Sequence, residues 1–436
     1  MKIQSPPGMR DFYPEDMRLQ NWLFEAWRRV SRAFGFSEYE GPTFEFLDLY
    51  TLKSGEGIVS ELFAFQDRGE RHFAIRPEMT PTLARMVAAR ANALPRPIKW
   101  FSIPRMCRAE KPQRGRLREF YQWNIDILGV DDALADAEVI AVAVEFFREI
   151  GLEHNDVVVD LNSRELAGAF LEGIGIAHHK LDRAFELIDR FERLPREEFR
   201  QAWDAEFAPA VRSAKILSSY LERDIPLHEY SDPESARAEH DRAAREHFWK
   251  LWNNLENLGV REFVRINQKL VRGLAYYTGS VFEICAARAG LRALAGGGRY
   301  DDLTSLLDGP RVPGVGFGMG DAPVLELLRA LDKLPELDDE LDVYVIDADR
   351  QLFTTALDLV ANLRRQRLLV DFSYKRAPVA KQFRQAAARG ARYAVVLGAE
   401  YTQRQELTIK NLTTGRQQAV RASRFLKHPT SVLQTV

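Results

Sequence analysis

The stretch CRAEKPQRGRLREFYQWNIDILG, residues 107–129, joins a strongly basic segment to an alternating one. Six lysine and arginine residues fall between positions 105 and 118: Arg105, Arg108, Lys111, Arg114, Arg116 and Arg118. From Arg118 to Gly129 the pattern is typical of a strand, which places residues two apart on one face. Guanidinium groups in a loop before a strand are forked, permanently charged donors that can clamp phosphates. The pattern predicts a phosphate-binding loop and strand, with an exposed basic hairpin as the alternative.

The rest of the chain predicts two domains and a helical insertion. Strand patterns such as DVVVDLN and SVFEICAA alternate with helices in the first part, which we expect to form one domain over residues 1–330. Within it, residues from about 176 to 258 are helical and rich in charge, which predicts a mostly helical insertion. After a linker near 330–340, strands and helices alternate over residues 340–436, which predicts a small α/β domain.

The charge of the chain is unevenly distributed. The formal net charge is −2 over 436 residues, which by itself indicates no partner. Residues 341–436 nevertheless carry 16 lysine and arginine against 7 aspartate and glutamate residues, a net charge of +9. A basic module on an acidic body favours a polyanion such as nucleic acid as the partner of that module, with a solvated surface as the alternative.

Composition excludes several classes of protein. Only two cysteines are present, so neither a disulfide framework nor a cysteine metal site is expected, and a reducing compartment, the cytoplasm, is predicted. The eight histidines show no metal-ligand spacing, so no resident metal site is predicted. We find no signal-peptide pattern at the N-terminus and no apolar run of the length that spans a membrane.

Three further segments are candidates for ligand contact. The segment LVRGLAYYTG, residues 270–279, places an Arg-Gly pair before two tyrosines. The segments AGGGRYDDL, residues 295–303, and GVGFGMG, residues 314–320, are dense in glycine, which permits close approach of the backbone to a ligand. Neither contains the Gly-Lys-Ser/Thr of a P-loop, and GVGFGMG lacks the strand–helix–strand context of a dinucleotide fingerprint. An aromatic core strand is the alternative interpretation of the tyrosines.

Taken together, these segments resemble the class II aminoacyl-tRNA synthetases, and among them the histidyl-tRNA synthetase family. PPGMRDFYPED is similar to the N-terminal signature of the family, GPTFEFLDLY to motif 1, RAEKPQRGRLREF to motif 2, and GVGFGMGD to motif 3. LVRGLAYYTG and GGGRYDDL resemble the two histidine-specific signatures. The resemblance covers nearly the whole chain and implies an α+β catalytic domain with a mixed or antiparallel sheet, followed by an anticodon-binding α/β domain.

The resemblance implies a role for each of the matching residues. Arg108 and Arg272 would be the catalytic cations. The implied ATP contacts are Arg108, Glu110, Arg116 and Phe120, with Phe120 stacking on adenine. The implied histidine contacts are Glu78, Thr80, Gln122, Asp126, Arg272, Tyr276 and Tyr277. Among them, Glu78 would hold the α-ammonium group and Asp126 would accept a hydrogen bond from the imidazole.

Two positions depart from the pattern of the family. Motif 3 commonly ends in Glu-Arg, whose arginine contacts the γ-phosphate of ATP, where this chain has Asp321 and Ala322. The histidine signature commonly has Asp where this chain has Ala275. One cation and one anion are thus missing together, and our hypothesis is that Arg311, upstream of the motif 3 strand, serves the phosphates instead.

The resemblance implies ATP-dependent attachment of histidine to its tRNA through a histidyl-adenylate. Its expected substrates and partners are ATP, histidine and tRNA, with Mg²⁺ accompanying ATP, and the expected assembly is a homodimer. The alternative is a synthetase-like regulatory subunit of ATP phosphoribosyltransferase in histidine biosynthesis. Such relatives usually lack the C-terminal domain and the motif 2 arginines, which this chain retains. Another class II synthetase is a weaker third interpretation.

Overall fold

The computed structural model describes most of the chain, namely residues 4–54, 62–113, 115, 117–191, 193–207, 214–223, 226–235, 239–271, 277–288, 291, 293–337, 341–375 and 377–436. The chain divides into two compact units, Met1–Leu334 and Pro335–Val436. Three residues with predicted roles, Arg116, Arg272 and Tyr276, lie outside the described residues, as does Ala275.

The strands of the described residues are short, and most contain three to seven residues. In chain order they are β1 (Ser37–Glu38), β2 (Phe44–Phe46), β3 (Ala64–Gln66), β4 (His72–Ile75), β5 (Ile98–Ser102), β6 (Arg105–Cys107), β7 (Glu119–Leu128), β8 (Val157–Ser163), β9 (Val264–Ile266), β10 (Ser280–Ala286), β11 (Ala295–Arg299), β12 (Gly314–Gly320), β13 (Val343–Asp347), β14 (Val370–Phe372), β15 (Tyr393–Leu397), β16 (Glu406–Asn411) and β17 (Gln417–Arg421).

The α-helices of the described residues are α1 (Pro14–Ala33), α2 (Asp48–Ser54), α3 (Thr80–Arg90), α4 (Ala133–Glu149), α5 (Arg164–Gly173), α6 (Leu181–Asp189), α7 (Arg196–Phe207), α8 (Ala214–Glu222), α9 (Leu227–Ser231), α10 (Glu239–Asn257), α11 (Asp321–Ala330), α12 (Phe353–Arg365), α13 (Val379–Ala388), α14 (Ala399–Arg404), α15 (Ala422–Lys427) and α16 (Pro429–Leu433). None of these helices combines the length and the apolar character that a membrane crossing requires.

The first unit is built on a mixed sheet of nine strands. Eight of them follow the order β1-β5-β7-β12-β11-β10-β8-β9, and β6 pairs with β7. The β1–β5 and β8–β9 pairs are parallel and the other pairs are antiparallel. A separate sheet of three strands, β2-β4-β3, lies in the same unit. This architecture confirms the predicted fold class.

Strand β7 divides its side chains between the core and the opposite face of the sheet. Trp123, Ile125 and Ile127 are at most 2% exposed and belong to the main hydrophobic core with α1, α4 and α10. Phe120 and Gln122, at the alternate positions, point to the other face. A strand with one apolar face must bury it, and the apolar stripes of α1 and α4 cover it here.

The described part of residues 176–258 contains helices and no strand. Helices α6, α7 and α8 form a small core together with α5, and this core includes Phe185, Phe199, Trp203 and Leu217. Helix α10 instead packs into the main core. The charge-rich segment therefore contains both a peripheral helical cluster and one helix that completes the central layer.

The second unit is an α/β sandwich around the five-stranded sheet β14-β13-β15-β16-β17. Strand β13 shows how both faces are covered. Val343 and Val345 pack with α12, whereas Tyr344 and Ile346 pack with α13. Because both faces of β13 are buried, its sequence is a continuous apolar run, as expected of a strand in the parallel part of a sheet.

Candidate active site

A cavity of about 1200 Å³ lies in the first unit, on the face of the sheet that is opposite the main core. Strands β7, β10, β11 and β12 contribute its floor. The residues around the start of α3, the loop that precedes β7, and α6 contribute its walls. The volume exceeds that of an ordinary small-molecule pocket, roughly 300–1,000 Å³, so the cavity is large enough for more than one substrate.

Glycines in β12 make room for the polar residues of β7. A Cβ atom at Gly316 would lie 2.1 Å from Oδ1 of Asp126, and one at Gly318 would lie 2.6 Å from Nε2 of Gln122. Because no real Cβ contact is that short, only glycine allows these side chains to lie against the neighbouring strand. The glycine density of GVGFGMG is thus explained by the packing of β12 on β7.

The basic loop, which joins β6 to β7, brings Arg108 to the cavity. Arg108 lines the cavity, its Nε atom donates to the carbonyl of Pro77 at 3.0 Å, and its guanidinium lies 5.2 Å from the centre of the Phe120 ring. Phe120 also lines the cavity, as do Gly115 and Leu117 farther along the loop. The structure therefore brings together a fixed cation and an aromatic face, the combination that a nucleotide requires.

The other predicted ATP contacts are not placed in the cavity. Glu110 is not among the residues that line it; its backbone carbonyl accepts a hydrogen bond from Nε of Arg118 at 2.9 Å. Arg116 lies outside the described residues. The roles of Glu110 and Arg116 therefore remain predictions.

Glu78 and Thr80 reach the cavity from the start of α3. Glu78 is only 7% exposed, so its carboxylate is held in a largely desolvated position. The neighbouring Arg76 is buried and fixes this segment, because it pairs with Glu40 at 2.5 Å and donates to the carbonyl of Gly41 at 2.9 Å. A buried carboxylate that faces a cavity is suited to bind an ammonium group.

Asp126 does not line the cavity but lies behind Tyr300. Its carboxylate accepts a hydrogen bond from the hydroxyl of Tyr300, and Tyr300 does line the cavity. Burial raises the pKa of Asp126 to about 7, although the hydrogen bond from Tyr300 opposes this increase. In this structure Asp126 faces Tyr300, the residue that sequence reasoning missed, and a direct contact of Asp126 with the imidazole stays a prediction. Only the place of Tyr300 in the signature GGGRYDDL could have indicated it.

Of the histidine signature 270–279, the described residues Leu270, Val271 and Tyr277 line the cavity. Tyr277 packs closely over Gly298, where a Cβ atom would lie 3.0 Å from its ring. Gln122 lines the cavity, and its contact with histidine stays a prediction. The predictions for Arg272 and Tyr276 fall outside the described residues.

One wall of the cavity was not predicted. Helix α6 and the residues that follow it contribute five charged side chains, Asp182, Glu186, Asp189, Arg190 and Arg193. Asp182 pairs with Arg164 at 3.0 Å, and Arg164 also lies over the ring of Phe185 at 4.5 Å. The amphipathic pattern of α6 indicates a polar face, but no local signal reveals that this face is turned toward the sheet.

Arg299, in the second signature, is a buried structural residue. It is 3% exposed and pairs with Asp136, which is fully buried. It also donates to the backbone carbonyls of Val130 and Asp132, each at 3.1 Å. Burial opposes ionisation of Asp136, but hydrogen bonds and charge from His247 and Arg299 lower its pKa overall. The ion pair between Arg299 and Asp136 therefore holds the end of β11 against the first turn of α4.

The junction of β12 and α11 contains no cation of its own. Gly320, Ala322 and Pro323 line the cavity, and Asp321 is fully buried. Arg311 is not among the lining residues: it is 54% exposed and pairs with Asp302 at 2.9 Å and Asp301 at 3.4 Å. This position contradicts the hypothesis that Arg311 serves the phosphates.

Comparisons with known proteins agree over nearly the full chain. A family model described as "Histidyl-tRNA synthetase" matches residues 8–322, and one described as "Anticodon binding domain" matches residues 342–428. A histidine–tRNA ligase of Opitutus terrae is 38% identical over 416 residues, which cover 94% of each chain. A chloroplastic/mitochondrial histidine–tRNA ligase of Arabidopsis thaliana is 37% identical over 97% of this chain and 85% of that protein.

Solved structures show the same fold. A histidyl-tRNA synthetase from Nostoc sp. PCC 7120 superposes with a TM-score of 0.82 at 24% identity, covering 98% of this chain and 100% of that one. A Bacillus halodurans protein described as an ATP phosphoribosyltransferase regulatory subunit/histidyl-tRNA synthetase gives a TM-score of 0.72 at 22% identity, with 89% and 97% covered. At these identities the likeness supports the fold alone.

Proposed function

The chain belongs to the histidyl-tRNA synthetase family of class II aminoacyl-tRNA synthetases, and from this membership we propose that it is an ATP-dependent histidine–tRNA ligase. The observation that carries the proposal is the convergence of Glu78, Arg108, Phe120 and Tyr277 on one cavity from three separate segments. The alternative function as a regulatory subunit is not favoured, since the relatives that match over nearly the full chain are named histidine–tRNA ligases.

We assign the roles in the first step by charge and position. Glu78 holds the α-ammonium group of histidine, and its burial strengthens this contact. Arg108 binds the carboxylate and the α-phosphate, and Phe120 stacks on adenine. The hydroxyl of Tyr300, oriented by Asp126, joins Gln122 and Tyr277 around the imidazole. Arg116, Arg272 and Tyr276 keep their family roles as predictions.

The reaction proceeds in two balanced steps. A carboxylate oxygen of histidine forms a bond to the α-phosphorus of ATP, and the bond to the β-phosphate oxygen breaks, which releases pyrophosphate. A terminal ribose hydroxyl of tRNA then attacks the carbonyl carbon, and AMP leaves as the ester forms. Charge develops on the phosphate oxygens in the first step, where a preorganised cation such as Arg108 stabilises the transition state.

We propose that Mg²⁺ accompanies ATP rather than occupying a protein site. The described residues contain no cluster of three or more metal-binding side chains. Mg²⁺ usually takes one or two carboxylates together with substrate phosphates, so this absence is compatible with it. Glu283 of β10 lines the cavity and would supply such a carboxylate. When bound, the ion would offset part of the phosphate charge.

We propose that the second unit binds the anticodon stem of tRNA. Its support is the match of residues 342–428 to the anticodon-binding family and the net charge of +9 in residues 341–436. Such a charge excess contributes sequence-independent affinity for a polyanion. Removing this unit is expected to weaken tRNA charging far more than adenylate formation.

A homodimer and a cytoplasmic location are further parts of the proposal. The small sheet β2-β4-β3 exposes an aromatic cluster in the motif 1 region: Phe44, Phe46 and Phe65 are 52%, 54% and 38% exposed. An exposed apolar patch of this kind supports an interface between subunits. Light scattering of the wild type and of Phe46→Glu tests it.

Two free cysteines, Cys107 and Cys285, support a reducing compartment.

The decisive assay is exchange of labelled pyrophosphate into ATP. Exchange must depend on histidine and must not occur with glutamine or tryptophan in its place. Charging of tRNA with labelled histidine tests the second step. Histidine binding without any exchange would instead support a regulatory role, and the Glu78→Gln variant then shows whether that binding uses the same cavity.

A further inference from the structure

Arg10 lies beside the start of α11, next to the active-site cavity. Its Nη2 atom is 2.7 Å from Oδ2 of Asp321, the first residue of α11. Asp321 is itself fixed, because its Oδ1 atom accepts a hydrogen bond from the backbone N–H of Tyr121 at 3.0 Å. Arg10 also lies over the ring of Phe12 at 4.7 Å. The guanidinium is therefore held in one position by a buried carboxylate and an aromatic ring.

The segment that carries Arg10 is hydrogen-bonded to the end of the basic loop and the start of β7. The carbonyl of Gly8 accepts hydrogen bonds from the backbone N–H groups of Arg118 at 2.9 Å and Glu119 at 3.2 Å. Gly8 has a φ of +83°, and a Cβ atom there would lie 2.7 Å from Pro112. Because both the conformation and the close approach require glycine, this contact is specific, and any movement of the basic loop is coupled to Arg10.

A second cavity of about 230 Å³ lies beside Arg10 and shares wall residues with the active-site cavity. Its lining includes Arg10, Gly115, Leu117 and Ala322, of which the last three also line the large cavity. The other charged residues that line it are Asp11, Asp16, Glu326 and Arg329. The two cavities thus meet at the basic loop and the start of α11. A ligand that extends from Arg108 along the loop toward Ala322 would approach the guanidinium of Arg10.

Arg10 has hydrogen-bonding capacity left over. Its Nε atom is buried and has no hydrogen-bond partner among the residues that the structure describes. A guanidinium offers five N–H donors, and a buried donor without an acceptor is unfavourable. The Nε atom has almost no solvent-accessible surface, whereas the Arg10 side chain as a whole is 26% exposed, so an anionic oxygen in the second cavity would approach the guanidinium at its Nη atoms.

The position of Arg10 matches a need of the proposed reaction. A triphosphate carries several negative charges, and the residues of α11 that line the large cavity, Ala322 and Pro323, supply none of the balancing charge. We propose that Arg10, held by Asp321, contacts the β- or γ-phosphate of ATP and acts as a phosphate-binding residue of this site. The inference rests on the proposed function, since it needs ATP in the large cavity. Asp321 is then a positioning residue, which acts through Arg10.

The test compares ATP with AMP, which lacks the β- and γ-phosphates. Titration calorimetry gives the Kd of each nucleotide, and pyrophosphate exchange gives the KM for ATP. For Arg10→Ala we expect the Kd and KM for ATP to rise on the order of tenfold to a hundredfold, the loss that one charge-assisted hydrogen bond produces. The Kd for AMP and for histidine should stay within about twofold of the wild-type values, because those ligands do not reach Arg10.

A matched control is Arg29→Ala, which removes another arginine–carboxylate pair, with Glu149 at 2.6 Å, from the surface of α1. Its nucleotide affinities should equal those of the wild type. Equal losses of ATP and AMP affinity in Arg10→Ala would mean a general displacement of the site and would overturn the proposal, as would an unchanged KM for ATP.

Should Arg10→Ala fail to fold, Arg10→Lys decides the question. Lysine keeps the charge but lacks the fork that bridges a carboxylate and a phosphate, so ATP affinity should fall by about threefold or more with AMP affinity unchanged. Full ATP affinity in Arg10→Lys would then contradict the inference. A wild-type protein without histidine-dependent exchange would refute the proposed function instead, so the two failures are distinguishable.

Discussion

Replacing Asp126 by asparagine is expected to stabilise the first unit, and to do so more strongly at pH 8 than at pH 5. Asp126 is 3% exposed, and its pKa rises from 3.8 to about 7 because burial disfavours the charged carboxylate. An asparagine side chain has a similar shape, carries no charge at any pH, and keeps an oxygen that accepts the hydrogen bond from Tyr300.

The magnitude follows from proton linkage. The folded pKa is higher than the unfolded one, so between pH 3.8 and about 7 the folded state binds more protons. The free energy of unfolding therefore falls as the pH rises through this window. Roughly three pKa units correspond to about 4 kcal/mol lost by pH 8, of which about 1–2 kcal/mol is already lost at pH 5. The gain from Asp126→Asn should thus be about 2–3 kcal/mol larger at pH 8 than at pH 5.

Urea unfolding followed by tryptophan fluorescence measures this difference. All seven tryptophans precede residue 253, so the signal reports on the unit Met1–Leu334 and not on the second unit. Asp136→Asn is the matched control, because the pKa of this buried carboxylate is lowered rather than raised. That variant should be destabilised at both pH values. A gain for Asp126→Asn that is equal at pH 5 and pH 8, or a loss at pH 8, would refute the reasoning.

Four further predictions concern individual charges. Glu78→Gln should raise the KM for histidine in pyrophosphate exchange by on the order of tenfold or more, because a buried charge-assisted contact is lost. The KM for ATP should stay nearly unchanged. An equal rise in both KM values would argue against an ammonium contact. Arg272→Ala should slow adenylate formation on the order of 10²-fold, as loss of a transition-state donor does, whereas exchange within about threefold of wild type would contradict its catalytic role. Arg299→Ala leaves the buried Asp136 without its arginine partner and should lower the free energy of unfolding by about 3–5 kcal/mol. Because the ion pairs of Arg311 are exposed, Arg311→Ala should lower it by less than about 1 kcal/mol and leave the KM for ATP unchanged. Chemical denaturation of both variants checks this contrast.

Much of the fold could be predicted because its signals are local. The alternation in β7 predicted which of its side chains share a face, and Trp123, Ile125 and Ile127 are indeed buried together. The motifs were informative for the same reason, since each lies within about ten consecutive residues. The prediction for Arg311 was wrong because proximity in sequence to the motif 3 strand does not tell which carboxylates the side chain meets.

The sequence by itself determined the family, the mixed sheet followed by an α/β unit, and the set of segments that meet in the active site. Only the tertiary structure decided that Tyr300 stands in front of Asp126, that α6 walls the cavity, and that Arg10 pairs with Asp321. The partners in these contacts are 174 residues apart for Tyr300 and Asp126 and 311 apart for Arg10 and Asp321. Periodicity determines the face on which a side chain lies, but the packing of distant elements determines what that face meets.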